Sequence, residues 1–243
     1  MKRRNYLISI IIAVMIITSS TNVFAVDNNS WTDATKTSQG QSEKWSEWCD
    51  KWEKIKNSPT QMSLSPGSDE TQLNFAWYSK TCEIKPNLKI SDNPEMKNST
   101  ALQVTTTNAT EGFKSNKATA TDLKPNTRYY YSYTINGKWT KPTLYQTKNS
   151  KRYSFAFVGD PQIGASWRCM PKDLSEDEIQ DRAVRNDSFN WNNTIESIIK
   201  RDCNISFIIS SGDQIQSRDK GKSNALYNKN EIEYSGYLSP SLL

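Results

Sequence analysis

The chain has 243 residues, with 31 Lys+Arg against 26 Asp+Glu, four cysteines and no histidine. At roughly 100–200 residues per domain, that length makes one or two domains with real cores. The missing histidine excludes a Ser-His-Asp triad, a Cys-His pair, a Cys₂His₂ finger, a histidine-based zinc site and haem on a proximal histidine. Any chemistry here runs on carboxylates, amides, hydroxyls, thiols or backbone.

Lys2, Arg3 and Arg4 precede an apolar run from Tyr6 to Ile17, and Val23-Phe24-Ala25 follows. A basic start, a short apolar stretch and small residues before a cut after Ala25 read as a secretory signal peptide over residues 1–25. The run falls short of the about 20 apolar residues of a spanning helix, although an uncleaved anchor is the alternative. Removing the leader leaves 28 Lys+Arg against 26 Asp+Glu, a net charge of +2. The expected product is secreted or at the cell surface, with no integral membrane segment after signal removal. Without a basic stripe, nucleic acid is not an expected partner. An oxidising compartment lets disulfides persist. One bridge within each half, Cys49 with Cys82 and Cys169 with Cys203, is the economical expectation among three possible pairings.

Residues 26–57 hold a polar lead-in and then Trp45, Trp48, Trp52 and Ile55 at helical spacing. The spacing predicts a short helix with Ser42 as N-cap and Asn57-Ser58-Pro59 as its stop. Such a stripe packs on the domain that follows it, or else it presents an aromatic surface to cell wall or glycan. Residues 58–148 turn to short strands: Gln61–Leu64, an alternating Leu73/Phe75/Trp77 run, Leu102 with Val104, and Tyr129/Tyr131/Tyr133/Ile135 leading into an Asn136-Gly137 hairpin. Six or seven such strands argue a β-sandwich.

After the polar linker around Lys148–Arg152, residues 153–243 change character. Tyr153–Val158 is a strand ending in Gly159-Asp160-Pro161-Gln162. A helix is expected near Asp187–Arg201, with Trp191, Ile195, Ile198 and Ile199 on one face. Ile205–Ser210 is a second strand, ending in Gly212-Asp213-Gln214-Ile215-Gln216. Strand, helix, strand is a βαβ crossover, which places two parallel strands in a covered sheet. The connection from Gly159 to Asn186 is too long to be idle. Ligands of open α/β sheets sit at the carboxyl ends of the strands, so Asp160 and Asp213 are candidates for one shared site. Glycine before each aspartate allows a sharp turn and room for a ligand. Two close carboxylates are best reconciled by a hard or borderline divalent cation.

Leu123-Lys124-Pro125-Asn126-Thr127-Arg128-Tyr129 resembles the L-x-P-x-T-x-Y corner of fibronectin type III-like sandwiches, with Trp77 as the core tryptophan. That corner, followed by strand-Gly-Asp, helix and strand-Gly-Asp, resembles the purple acid phosphatase type of calcineurin-like metallophosphoesterase. The resemblance covers residues 58–243. It implies a fibronectin type III-like sandwich followed by the first βαβ part of an α/β metallophosphoesterase domain. It also implies phosphomonoester hydrolysis at a dinuclear site of Fe, Mn or Zn, with Asp160 on one metal and Asp213 bridging two. Gln162 stands where the wider family has histidine and is a weak neutral ligand. Gln216 stands where purple acid phosphatases carry tyrosine, which removes the basis for an iron(III) preference. The family's histidine motifs are missing, so the expectation is a fragment or short form, inactive by itself. The alternative is a secreted binding module that uses the sandwich and the Trp-rich helix.

Overall fold

The computed structural model describes residues 42–56, 61–109, 112–149, 151–216 and 230–240. The expected signal peptide, most of the lead-in and the expected Asn57-Ser58-Pro59 stop lie outside the described residues. Among those described, no helix is long and apolar enough to cross a membrane.

The sandwich is built from β1 (Ser63–Pro66), β2 (Leu73–Lys80), β3 (Leu88–Ser91), β4 (Thr100–Leu102), β5 (Thr105–Asn108), β6 (Phe113–Ala120), β7 (Arg128–Ile135), β8 (Lys138–Trp139) and β9 (Thr143–Gln146). One antiparallel sheet runs β1-β2-β6-β5 and the other β4-β3-β7-β8, with β9 also on β7. Alternation along β2 turns Leu73, Phe75 and Trp77 inward, onto Leu88, Ile90, Val104, Ala118 and Tyr131. Phe75 meets Tyr131 edge-on at 5.3 Å, and Trp77 lies 5.8 Å from Tyr133. The expected Leu102/Val104 strand is in fact two strands, because the chain leaves one sheet after Leu102 and enters the other at Thr105. Val104, buried between them, fills the corner. The L-x-P-x-T-x-Y segment forms its corner: the Lys124 N–H donates to the Tyr129 hydroxyl at 2.9 Å. Asn126 turns the chain at φ 51, a left-handed conformation that asparagine tolerates better than most side chains.

The Trp-rich helix α1 (Ser42–Ile55) passes over the sandwich that follows it in sequence and packs on the last part of the chain. Its partner is α2 (Glu176–Arg201), and the two run antiparallel. Trp45 packs edge-on against Phe189 at 5.2 Å. The Trp48 indole N–H donates to the Arg185 carbonyl, and that of Trp52 to Asp181 Oδ1, each at 2.8 Å. Trp48 and Trp52 are buried, so the glycan-surface alternative loses its exposed rings.

α2 begins at Glu176, well before the expected Asp187, because Ser175 and Glu178 form a reciprocal capping box. The long connection after Asp160 is correspondingly shorter, and its middle is a 3-10 turn at Ala165–Cys169. Strands β10 (Ser154–Val158) and β11 (Ile205–Ser210) pair in parallel, Val158 opposite Ser210. A further helix, α3 (Asn230–Tyr237), stacks Tyr237 on Trp191 at 5.6 Å and receives the Trp191 indole N–H on its Tyr237 carbonyl.

Among the described residues, the expected covered sheet is covered on one face only. Ala156, Val158 and Ile208 face the helices, whereas Phe155, Phe157 and Ile209 are exposed and Phe155 stacks on Phe207 at 5.4 Å. All three described helices gather on the first face, which leaves the second to its own aromatic contacts. The expected disulfides are absent too: none of the four cysteines is bonded to another. Cys49 rides on α1 with the last unit, while Cys82 sits exposed in the turn after β2. The turn ending at Cys169 is held beside Ala183 and Asp187, and Cys203 lies past the end of α2. At 1.5 Å per residue that is about 24 Å away, far beyond disulfide reach.

Candidate metal site

Beyond Val158 and Ser210 the two parallel strands separate and then rejoin. The Ser211 N–H donates to the Val158 carbonyl at 2.9 Å, the last tie before the gap. Ile163 and Ile215 then form an isolated parallel bridge, with the Ile163 N–H on the Gln214 carbonyl and the Gln216 N–H on the Ile163 carbonyl. The stretch between carries both Gly-Asp pairs, and the Asp160 and Asp213 side chains are exposed. Gln162 joins the loops twice: its backbone N–H donates to the Asp213 carbonyl at 2.9 Å and its Nε2 to Asp213 Oδ2 at 3.3 Å. An amide that turns its NH₂ to a carboxylate leaves its own oxygen as the remaining ligand atom. Gln216 sits on the rejoined stretch and is partly buried.

Local backbone shape explains only one of the two glycines. Gly212 has φ 124, a region that L-residues with a Cβ scarcely enter. Gly159 has ordinary backbone, and a Cβ there would meet Ser211 Oγ at 3.8 Å, a normal contact. The glycine-specific backbone expected at both positions is seen at Gly212 alone. Strain appears instead at the functional candidates: Gln162 (φ 38) and Asp213 (φ 39) are non-glycine residues in the left-handed region. Each such residue costs on the order of 1–3 kcal/mol and persists only where its surroundings over-determine it.

The part that sequence reasoning passed over is Asp187, on the inner face of α2. Its Oδ2 accepts the Gly164 N–H at 2.8 Å and the Ser166 N–H at 3.2 Å. Burial raises its pKa to about 6, and the amide and hydroxyl donors only partly offset that. Asp187 also lines a cleft of about 190 Å³ with Pro161, Asn190, Trp191 and Thr194. A larger cleft of about 470 Å³, among Lys56, Phe113, Asp181 and Glu231, includes none of Asp160, Gln162 or Asp213.

Two exposed carboxylates and an amide are hard oxygen donors. By donor type they are ligands of the kind that hard divalent cations take. They do not fit the dinuclear cluster that the resemblance implies. Among the described residues, no group of three or more His, Cys, Asp or Glu converges to hold a metal.

Residues 59–156 match the family model described as Purple acid Phosphatase, N-terminal domain. The sandwich is similar to the N-terminal domain of purple acid phosphatases over those residues. The match ends inside β10, so the Gly-Asp loops fall outside it. No curated protein matches the chain. Among solved structures, a purple acid phosphatase from yellow lupin (Lupinus luteus) seeds is 15% identical over 75% of this chain and 39% of that one, with a TM-score of 0.38. The chain thus spans about 39% of the length of the lupin structure. The sensor domain of an anti-sigma factor from Pseudobacteroides cellulosolvens is 18% identical over 37% of this chain and 96% of its own, with a TM-score of 0.27. A cyclomaltodextrinase structure is 9% identical over 42% of this chain and 23% of its own, with a TM-score of 0.29.

Proposed function

We propose that the βαβ unit behind the sandwich begins a phosphomonoesterase metal site of a secreted enzyme, in which Asp160 and Asp213 are the carboxylate ligands. The observation that carries this reading is the backbone bond from the Gln162 N–H to the Asp213 carbonyl, which ties the two Gly-Asp loops into one opening at the strand ends. Carboxyl ends of parallel strands are where open α/β sheets place their ligands. A sandwich similar to the N-terminal domain of purple acid phosphatases directly before this unit favours phosphate ester chemistry over other uses of a paired-aspartate site.

In this reading Asp160 and Asp213 hold a divalent cation of the Mn, Fe or Zn class, with the Gln162 oxygen as a weak third ligand. The bound ion would neutralise phosphate charge and make its water acidic. The residues of this chain supply position and charge. Gln162, donating to Asp213 Oδ2, orients that carboxylate. The chain contains no histidine to protonate a leaving alkoxide. It should therefore bind phosphate in the presence of metal without turning over esters.

The test is calorimetric titration of inorganic phosphate into the purified chain with and without Mn²⁺, beside p-nitrophenyl phosphate hydrolysis. The expected result is Mn²⁺-dependent phosphate binding, with turnover far below the about 10 s⁻¹ usual for enzymes. Phosphate binding that ignores Mn²⁺, or no phosphate binding at all, overturns the reading.

A further inference from the structure

We propose that Asp187 is the positioning residue of the candidate metal site: its carboxylate, reaching across from α2, fixes the turn at 162–166 and through it sets Gln162 against Asp213. In its metal readout the inference rests on the reading of Asp160 and Asp213 given above.

The turn needs an outside anchor. Gly164 stands at the N-cap of the 3-10 turn with φ 106, and it has no side chain with which to cap it. The free N–H groups of such a start require acceptors. Asp187 supplies one from a different element, taking the amides of Gly164 and Ser166 on the same oxygen. Ser166 Oγ is meanwhile tied to the Ala183 carbonyl, one helical turn earlier on α2. The Ala165 N–H donates back to the Gln162 carbonyl at 2.8 Å. Gln162 is thereby gripped from both sides, by Asp213 through its own N–H and by the anchored turn through its carbonyl. That grip offsets the cost of its left-handed backbone.

A serine or asparagine could accept the same amides without burying a charge. The carboxylate is held where burial opposes its ionised form, and its cleft adjoins Pro161 in the first Gly-Asp loop.

The test compares wild type, Asp187→Asn and Asp187→Ala in the full chain by native-state hydrogen exchange and by Mn²⁺ titration. Asp187→Ala should speed exchange at the Gly164 and Ser166 amides at least tenfold and weaken Mn²⁺ binding at least tenfold. Asp187→Asn retains an acceptor oxygen and should stay within about threefold of wild type in both. Ile195→Val lowers stability from the core, and it should change neither the local exchange nor the affinity. Unchanged exchange in Asp187→Ala, or faster exchange with unchanged Mn²⁺ affinity, overturns the assignment. If wild type takes up no Mn²⁺, the reading of Asp160 and Asp213 fails by itself. The exchange rates of Asp187→Ala then decide whether Asp187 holds the turn.

Discussion

Trp52 is the most consequential residue of α1, and replacing it tests where that helix belongs. The indole is fully buried between α1 and α2, beside Trp48 at a ring distance of 6.0 Å, and its N–H donates to Asp181 Oδ1. Truncating a buried tryptophan to alanine costs about 3–5 kcal/mol in lost transfer energy and cavity. The bond to a carboxylate adds roughly 1.5–3 kcal/mol. Part of that is recovered, because Asp181 keeps Lys56 at 3.5 Å. A net loss near 4 kcal/mol corresponds to a fall in Tm of about 8–16 °C for a chain of this size. Trp52→Phe keeps most of the volume and loses the bond, so it should lie between the two. The assay is thermal melting by circular dichroism, with hydrogen exchange to show that α1 and α2 loosen while the sandwich stays protected. A Trp52→Ala variant melting within about 2 °C of wild type would refute the packing and return the tryptophans to a surface role.

Tyr129→Phe removes the acceptor of the exposed Lys124 N–H, which water can then take up, so the sandwich should lose about 0.5–1.5 kcal/mol, read from urea unfolding. Gly236→Ala should be worse than an ordinary helix substitution. A Cβ there overlaps Ser188 Oγ and comes to 2.9 Å from both Ile163 Cγ2 and Val184 Cγ1, so melting should show a loss of about 1–3 kcal/mol as α3 is pushed off α2. Asp187 gives a pH signature. Its folded pKa, about 6, lies above the ordinary value of 3.8, so between those limits the folded state binds more protons than the unfolded one. Stability therefore falls as pH rises through that window and is level above it, by about 3 kcal/mol at 1.36 kcal/mol per unit. Asp187→Asn removes this dependence. Its stability relative to wild type should grow from pH 4 to 6 in urea titrations and stay constant above pH 7; a pH-independent difference contradicts the assignment.

The sandwich was legible where side chains alternate strongly, as in Leu73/Phe75/Trp77, and where a motif carries its own hydrogen bond, as at Tyr129. β6 was not, because its inward residues are Asn116, Ala118 and Ala120 rather than large apolar ones. Asn116 is buried by satisfying itself on the Trp77 carbonyl, Ser79 and Thr106, which no hydrophobic pattern reveals. The early start of α2 was written in the sequence as Ser175-x-x-Glu178, a capping box ahead of a weakly apolar stretch. The destination of α1 was not. An amphipathic helix announces that it buries a face but not which partner receives it, and here the partner lies across an entire intervening domain. At the candidate site the two Gly-Asp turns were visible because strand ends and glycines are local signals. Asp187 was hidden because its role comes from tertiary contact with amides more than twenty residues earlier.

The central claim is that Asp160 and Asp213 together hold a divalent cation. Its most direct test is electron paramagnetic resonance titration of Mn²⁺ into wild type, Asp160→Asn and Asp213→Asn, all shown to be folded. Wild type should bind one ion weakly, with a Kd of roughly 10⁻⁴–10⁻³ M, the range found for extracellular calcium modules. Either substitution should weaken binding at least tenfold. Equal Mn²⁺ uptake by all three proteins, or none by wild type, would contradict it.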